Sequence, residues 1–391
     1  MSSIDAEVLA PGALPVPVLE AWRELQRATP AFGSPLLGPE FAAAVGSVRP
    51  DAAVAVFRRR GAVVGLLAHH RRPGGVARPV GSVWSDYHAL LTAPGEPLDP
   101  AGALSAAGLS AYHFKSLIDP YGLFAASVAE QGEGHLIALR DADGDAYWET
   151  LRAASAKRFK NMRRLEHKLE RDIGQITLDA PDPDPAAFEQ LLAWKKAQFA
   201  RTGAHDVLRS AWSDGLMRAL FDRRDGPMQG LMLTLRVAGR PVASHFGIRQ
   251  GDAFHPWLAA FDPELSAYSP GQVFMGHAIP AMTRLGLASY DLSQGYEHYK
   301  RPFASDQVPV SAGVARAVGG PARLSLDRTL EVAGAAFGAR GSQAIARVRS
   351  RLDHIATAEL SLGGRLHGLA VAVAASQLRK PERAPAPASE S

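Results

Sequence analysis

The chain has 391 residues, 47% of them hydrophobic and 21% charged, which is enough apolar material for a large core divided over about two or three domains. The formal net charge of +4 is a mild basic excess that favours an anionic ligand without indicating DNA. The absence of cysteine excludes disulfides, thiolate metal ligands and a thiol nucleophile. Any chemistry must therefore come from hydroxyl, carboxylate, imidazole and amine groups.

No targeting or membrane segment is predicted. The first twenty residues lack the cationic start and apolar run of a signal peptide. No apolar run approaches the ~18 residues that span a bilayer. We therefore expect a cytoplasmic protein without a membrane span.

Two segments with the same layout predict a duplicated unit. Residues 53–71 and 231–249 each contain two β-rich runs around a Gly-containing turn, which is a hairpin signal. Val63-Val64-Gly65 opens the return strand of the first hairpin, as Pro241-Val242-Ala243 opens that of the second. Their separation is about one domain length, which is too long for a solenoid repeat of ~20 to 50 residues.

The chain after the second hairpin predicts an α+β plan. A strand over 253–261 is followed by Ser269-Pro270-Gly271, a sequence typical of a helix start. Apolar residues then recur at helical spacing until Gly286, and a strand follows over 288–292. The order of hairpin, strand, helix and strand predicts mixed, mostly antiparallel sheets with one parallel crossing.

Two helices are predicted between the repeats, over 154–173 and 186–201. The first has an apolar stripe on one face and Lys and Arg elsewhere, which indicates either a solvated face or a footprint for a polyanion such as tRNA. The predicted domains are 1–150, 151–323, a helical C-terminal extension over 324–380 and a disordered tail over 381–391.

The helix start at Ser269 is also a candidate anion site. Free amide groups and the positive end of a helix dipole can bind a diphosphate. The alternative is that Ser-Pro-Gly serves only as a helix cap.

Several motifs together resemble one branch of the GNAT superfamily, the CelD-like or cellulose-biosynthesis acetyltransferase-like proteins. These motifs are YSPG at 268–271, DLSQG at 291–295, YKRPF at 299–303, SDYH at 85–88, and WKKAQ at 194–198 followed by RTG at 201–203, together with the basic helix. The resemblance implies two tandem GNAT-like domains related to the Fem-type aminoacyltransferases, with acetyl-CoA as donor and a role in polysaccharide biosynthesis. In place of the usual run of spaced glycines, the phosphate loop offers only Gly271, Gln272 and Gly276.

Acyl transfer from a thioester needs a base for the acceptor, a polarised carbonyl and a proton for the leaving thiolate. His245 and His255 are both candidates for the base, and each is also compatible with a structural place in a strand. Asp291 can orient the acceptor and Tyr299 can protonate the thiolate, or they can serve as a turn residue and as core filling. We predict His245, Asp291 and Tyr299 as catalytic, Ser269, Gly271, Gln272 and Lys300 as cofactor-binding, and Asp86, Tyr87, His88, Trp194 and Gln198 as substrate-binding, with no metal.

Three hypotheses follow. The leading one is N- or O-acetylation of an amino sugar or polysaccharide precursor by acetyl-CoA. The second is Fem-like transfer from aminoacyl-tRNA, favoured by the basic helix. The third is a non-catalytic scaffold, favoured by the sparse phosphate loop. A small-molecule or saccharide acceptor is expected as partner and DNA is not, and the oligomeric state is left open.

Overall fold

The computed structural model describes residues 4–295, 297–319, 355, 357–360 and 363. The chain forms two compact units, one of Met1–Lys195 with Ala211–Ala322 and the other of Lys196–Ser210 with Arg323–Ser391. In the second unit, His205 lies 3.4 Å from Glu359. The predicted extension is described only at a few of its residues, and the predicted tail over 381–391 lies wholly outside the described residues. The boundaries between the four predicted segments stay predictions.

The first unit is built on one large mixed sheet flanked by helices. Its strands are β1 Asp5–Leu9, β2 Ala52–Arg59, β3 Ala62–Arg72, β4 Val76–Pro79, β5 Leu90–Thr92, β6 Ala111–Leu117, β7 Val128–Ala138, β8 Ile176–Asp179, β9 Met228–Val237, β10 Arg240–Gln250, β11 Ala253–Phe261, β12 Ser289–Ser293 and β13 Asp306–Arg316. The helices of the chain are α1 Val16–Ala28, α2 Pro39–Val48, α3 Pro100–Ala106, α4 Gly144–Ala154, α5 Ala156–Asp172, α6 Pro185–Thr202, α7 Ala211–Phe221, α8 Pro270–Arg284 and α9 Glu297–Lys300.

The strand order reveals the duplication. The order is β1-β2-β3-β4-β6-β13-β7-β12-β11-β10-β9-β8, with β5 beside β3. Strands β1 to β4 pair antiparallel in succession and β4 then pairs parallel with β6. Strands β8 to β11 repeat this pattern and β11 pairs parallel with β12. The two copies exchange their last strands, because β7 pairs with β12 and β13 pairs with β6. The two predicted hairpins are β2–β3 and β9–β10, and the duplicated unit is confirmed.

The core of the second copy lies between its sheet and α8. Alternate side chains of β9, beginning with Leu231 and Leu233, point to the same face as Val273 and Phe274 of α8, and all are buried. Period 2 in the strand and period 3.6 in the helix bring these apolar stripes together. Helices α4 and α5 cover the same face through Tyr147, Phe159 and Met162. The opposite face is covered by α6 and α7, where the Phe188 and Phe246 rings are 5.0 Å apart.

Strands β11 and β12 separate soon after they meet. They pair only at Ala253 with Ser289 and at Phe254 with Tyr290, although β11 continues to Phe261. A β-bulge between β10 and β11 lies at Phe246 and Gly247. Gly247 is needed there because a Cβ atom would overlap the His255 carbonyl oxygen. The second copy therefore has a wedge-shaped opening in its sheet, directly before α8.

The corresponding opening of the first copy is closed by its own chain. Strands β4 and β6 also share only two residue pairs, Val76 with Ala111 and Ala77 with Tyr112. Beyond them, His88 forms a parallel bridge with Leu117. The Ile118 amide donates to the His88 carbonyl over 2.8 Å, and the Lys115 amide donates to His88 Nε2 over 3.1 Å. Within the described ranges, the two strands therefore stay apart in the second copy and are bridged in the first.

Within the part of the chain that the structure describes, no helix is long and apolar enough to cross a membrane.

Candidate active site

Three ionisable side chains from the two copies meet beside the opening. His255 of β11 is fully buried, and its Nε2 atom lies 3.0 Å from Asp86 Oδ2. Its Nδ1 atom lies 3.6 Å from Asp291 Oδ2, at the separated end of β12. Asp86 is supplied by the first copy, and its side chain keeps 33% of its surface exposed. The arrangement is a buried imidazole between two carboxylates, one of which faces solvent.

These contacts determine the charge states of His255 and Asp86. Burial alone would lower the pKa of His255, but the two carboxylates outweigh it and raise that pKa to about 9. Burial alone would raise the pKa of Asp86, but hydrogen bonds from His255 and from the Ser293 side chain hold it below its ordinary value. At neutral pH, His255 is therefore an imidazolium and Asp86 a carboxylate.

Tyr87, which belongs to the first copy, contacts both Asp291 and His255. Its hydroxyl donates to Asp291 Oδ1 over 3.0 Å, and its ring meets the His255 ring edge to face at 5.5 Å. Burial and the Asp291 charge raise the pKa of Tyr87 above its ordinary value, so the hydroxyl stays protonated. The Ser293 amide donates to the same Asp291 oxygen over 2.6 Å. Tyr87 can approach because β7 has Gly134 here, where a Cβ atom would overlap the Tyr87 hydroxyl.

The other candidate base, His245, lies on the α8 side of the sheet. Its ring stacks on Phe274 of α8 at 4.1 Å, and its Nδ1 atom lies 2.7 Å from the Tyr290 hydroxyl. Burial, with smaller effects from Lys195 and Lys300, lowers the pKa of His245 to about 3. The His245 ring is therefore neutral at pH 7, whereas His255, on the opposite face of the sheet, is positively charged.

The first turn of α8 offers fewer free amides than a regular helix start. Ser269 has φ of 51° and occupies the N-cap position, but its hydroxyl makes no capping bond. Pro270 has no amide hydrogen, and the Gln272 amide donates to the Ser269 carbonyl over 2.9 Å. Gly271 has the one amide of this first turn that finds no acceptor among the described residues. An anion at this turn would thus have a single backbone donor and the helix dipole.

Tyr299 contacts the start of α8, and Lys300 contacts the chain just beyond β12. The Tyr299 hydroxyl donates to the Gly271 carbonyl over 2.9 Å, and burial raises the pKa of Tyr299 above its ordinary value. Lys300 Nζ donates to the Gln294 carbonyl over 2.6 Å, directly beyond β12. On the opposite strand, Lys195 Nζ donates to the Ala259 carbonyl over 3.3 Å. Both lysines are half-buried.

The structure brings together most, but not all, of the side chains predicted from the sequence. Asp86, Tyr87 and Asp291 share one cluster, and Ser269, Gly271 and Tyr299 lie around the start of α8. His88 does not join Asp86, because its ring is buried in the first copy and accepts the Lys115 amide. This placement favours a structural role for His88. Trp194 is buried, which favours core packing, and Gln198 belongs to the second unit.

Sequence reasoning missed Lys195, Ser293 and Trp257. Lys195 lies inside the WKKAQ motif and Ser293 inside the DLSQG motif, so these two motifs could have identified them as candidate site residues. The indole nitrogen of Trp257 is buried without a hydrogen-bond partner among the described residues, and its ring lies 6.2 Å from His255. Both histidines were candidate bases, but His245 was predicted as catalytic and His255 was not, and only the tertiary contacts distinguish them.

The arrangement suits the transfer of a group to a nucleophile. No group of three metal-ligating side chains is assembled within the described ranges. Asp86, a charged hydrogen-bond acceptor that is partly exposed at an opening in the sheet, accepts hydrogen bonds from His255 and from the Ser293 side chain. Hydrogen-bond donors fixed in a partly dry site stabilise the oxyanion of an acyl-transfer intermediate.

Residues 156–301 match the family model described as an acetyltransferase (GNAT) domain. No curated protein matches the chain. Among solved structures, FemX is similar over 79% of this chain and 96% of its own, with 10% identity and a TM-score of 0.51. The C-terminal domain of a putative lysylphosphatidylglycerol synthetase from Agrobacterium fabrum matches over 81% and 95%, with 14% identity and a TM-score of 0.46. A tandem GNAT protein from the clavulanic acid biosynthesis pathway matches over 80% and 98%, with 11% identity and a TM-score of 0.46.

The chain therefore carries a GNAT acetyltransferase domain in its second copy, and its predicted fold class of tandem GNAT-like units is confirmed. The likeness to FemX supports the fold alone. The matched range begins at the start of α5 and ends at Arg301, so it contains both sides of the opening. It excludes Asp86 and Tyr87, which the first copy contributes.

We predict that Gly134→Ala disrupts the cluster. The new methyl group must displace the Tyr87 hydroxyl from Asp291, and overpacking of this kind costs about 1 to 3 kcal/mol of unfolding free energy. Urea unfolding measures the change. Gly132→Ala is the control on the same strand, because its Cβ atom would meet Val310 at 3.7 Å and Gln294 at 4.0 Å, both ordinary contacts. Equal effects from the two substitutions would contradict the proposed contact.

We also predict a loss of stability at alkaline pH. The pKa of His255 is raised from an ordinary 6.5 to about 9, so its ion pairs stabilise the fold fully below pH ~6.5 and this contribution is lost as pH rises through about 9. The shift corresponds to on the order of 3 kcal/mol. Unfolding free energies of the wild type and His255→Gln, measured from pH 6 to 9.5, should converge with rising pH. A constant difference would contradict the charged state of His255.

Proposed function

We propose, from the GNAT acetyltransferase domain of residues 156–301, that the protein transfers an acetyl group from acetyl-CoA to an amine or hydroxyl of an amino sugar or polysaccharide precursor. The observation that supports it most directly is the opening between β11 and β12. Beyond Phe254, the backbone of β11 has no strand partner on that side. Its polar groups are therefore available to a thioester carbonyl, as the chemistry of acyl transfer requires.

The donor enters from the α8 side. The Gly271 amide and the positive end of the α8 dipole favour a phosphate of CoA at that side. The Tyr299 hydroxyl lies beside this turn and is protonated at neutral pH. It supplies the proton that the leaving thiolate requires, after releasing the Gly271 carbonyl to which it donates.

The acceptor enters from the Asp86 side. Asp86 accepts a hydrogen bond from the nucleophilic N–H or O–H group and orients its lone pair toward the thioester carbon. His255 is already protonated at pH 7 and does not serve as the base. Its role is to hold Asp86 in place as an anion. As the nucleophile attacks the thioester carbon, Asp86 accepts its proton and passes it to solvent water at the exposed side of the carboxylate.

A second candidate function is aminoacyl transfer from tRNA. Helix α5 carries seven Lys or Arg residues against three Asp or Glu, and most of the cations are exposed, among them Lys157, Lys160 and Arg164. A polyanion that binds there would be released steeply by salt. A gel shift with bulk tRNA separates the two functions, because salt-independent or absent binding removes this candidate. Acetyl-CoA turnover with any amine removes the alternative of a non-catalytic scaffold.

Acetyl-CoA binding tests the donor. Calorimetry should show one site per chain, since the opening of the first copy is closed by His88, with a dissociation constant between about 1 µM and 1 mM. Gly271→Leu should weaken binding by tenfold or more, because the side chain enters the space beside Tyr299. Thermal unfolding of the variant checks that the fold is retained. Two equivalent sites, or unchanged affinity in Gly271→Leu, would contradict the proposed donor site.

Asp86→Asn tests the acceptor side. The amide keeps the size of the side chain but removes the charge that orients the nucleophile, so kcat/KM for acetylation of glucosamine should fall by about 100-fold, while acetyl-CoA affinity is unchanged. Released CoA can be measured with a thiol reagent, since the protein has no cysteine of its own. Glu133→Gln, at an exposed position of β7, is the control. An equal loss of donor affinity would place Asp86 in the donor site instead.

A further inference from the structure

Asp86 is reached through a turn whose backbone conformation is unusual. The turn consists of Gly81 and the 3-10 helix Ser82–Trp84, and Asp86 follows two residues after its end. Gly81 has φ of 82° and Ser82 has φ of 56°. A positive φ is unfavourable for Ser, because it brings the Cβ atom close to the following carbonyl oxygen. Such a conformation persists only where the surrounding structure holds it in place.

The imidazole of His70 holds the first residue of this turn. His70 belongs to β3 and is fully buried. Its Nε2 atom accepts the Gly81 amide hydrogen over 3.0 Å. A Cβ atom at Gly81 would overlap the Phe41 ring, so the turn is tightly packed at the same point. His70 and Phe41 together determine where the turn begins.

Asp51 determines which nitrogen of His70 carries the proton. The Nδ1 atom of His70 lies 3.1 Å from Asp51 Oδ1. Burial alone would raise the pKa of Asp51, but hydrogen bonds from Arg49 and His70 hold it well below its ordinary value. Burial lowers the pKa of His70, so the ring is neutral at pH 7. A neutral ring that donates from Nδ1 to a carboxylate has a free lone pair on Nε2 for the Gly81 amide.

The other end of the turn contacts the second copy. Trp84 Nε1 donates to Ser213 Oγ of α7 over 2.7 Å. The Trp84 ring lies 6.3 Å from the Trp257 ring of β11. Within the turn, the Trp84 amide donates to the Gly81 carbonyl over 3.0 Å. The turn is thus fixed to β3 at one end and to α7 at the other, and Asp86 follows directly from it.

We infer that His70 is a positioning residue for Asp86, because its acceptance of the Gly81 amide fixes the turn from which Asp86 reaches His255. This inference rests on the proposed function for the role of Asp86 in acyl transfer. It goes beyond that function by assigning a role to a residue that contacts neither donor nor acceptor. The dependence of the contact between Asp86 and His255 on His70 can be tested without any acyl transfer.

Two polar substitutions separate the two contacts of His70. The amide oxygen in His70→Gln can occupy the place of Nε2, so this variant keeps an acceptor for Gly81 and loses the contact to Asp51. The shorter side chain in His70→Asn reaches only the place of Nδ1, so this variant keeps Asp51 and loses Gly81. We expect kcat/KM for acetylation of glucosamine to fall by about tenfold or more in His70→Asn and by about threefold at most in His70→Gln. Acetyl-CoA affinity should stay unchanged in both.

The pKa of His255 is the second readout. It can be measured by nitrogen NMR of isotope-labelled histidine, with His255→Gln to assign the signal. Displacement of Asp86 removes one of the two carboxylates that raise this pKa to about 9. The pKa should therefore fall by about one unit or more in His70→Asn, and it should stay near the wild-type value in His70→Gln. A general loss of stability would not separate the two variants in this way.

His69→Asn is the matched control. His69 is the neighbouring residue of β3 and is equally buried, but its Nδ1 atom lies 3.0 Å from the Leu67 carbonyl oxygen. Activity and the pKa of His255 should therefore stay at the wild-type level in this variant. Thermal unfolding verifies that the three variants fold.

An unchanged pKa of His255 in His70→Asn would overturn the inference, as would equal losses in His70→Asn and His70→Gln. If His70→Asn does not fold, the pKa of His255 in His70→Gln decides, because a fall of about one unit there would also overturn it. A wild type that transfers no acetyl group, together with the expected pKa difference, would contradict the proposed function and support the positioning role of His70.

Discussion

The second copy depends on the ion cluster around His255, a cation buried between two carboxylates. A cation in a buried position is tolerated only when opposite charges compensate its lost hydration. Asp291 comes from the same copy as His255 and Asp86 comes from the other, so the compensation requires both halves of the sheet. Tyr87 adds a neutral hydrogen bond to Asp291 and a ring contact to His255. The site is therefore complete only when the two copies are joined, and it could not be formed by residues 156–301 alone.

The two copies differ in the strand that borders the opening, and this difference allows the first copy to contribute to the site. Both have a parallel pair of strands that meet at two residue pairs and then separate. In the second copy the strand continues as β11 across a simple bulge. In the first copy the corresponding strand is interrupted between β4 and β5 by residues 80–89, which contain Asp86 and Tyr87. The same excursion closes the first opening through His88. The first copy therefore has its own opening closed and contributes side chains to the opening of the second.

Local patterns in the sequence predicted the local elements well. Strand β11 was predicted over 253–261 and is observed over Ala253–Phe261, and the helix predicted after Ser269 is α8 Pro270–Arg284. Period 2 followed by period 3.6, with Gly and Pro at the boundaries, specifies such elements without tertiary help. The helix predicted over 154–173 begins two residues later, because Ser155 separates it from α4. The exchange of β7 and β13 has no local signal, since their partners lie far away in the sequence.

The site was harder to predict for the same reason. Asp86 and His255 are 169 positions apart, and no periodicity relates them. The motifs drew attention to Asp86, Tyr87 and Asp291 as separate candidates, but only the sheet order places them together. The choice between His245 and His255 depends on which face of the sheet each side chain points to. The bulge at Gly247 shifts that register, and a one-residue shift reverses the face.

The difference in charge between the two histidines bears on how the proton of the nucleophile is removed. His245 is neutral because it stacks on Phe274 in an apolar layer, and His255 is charged because two carboxylates flank it. The pKa of His245 is about 3 and that of His255 about 9, on either side of the ordinary value of 6.5 at which an imidazole exchanges protons near neutral pH. Neither is therefore tuned as a base for pH 7. A neutral amine attacks through its lone pair without first losing a proton and needs only orientation by Asp86, whereas an alcohol needs a base to remove its proton as it attacks. An amine of moderate basicity, which is neutral in a useful fraction at pH 7, therefore suits this site better than an alcohol.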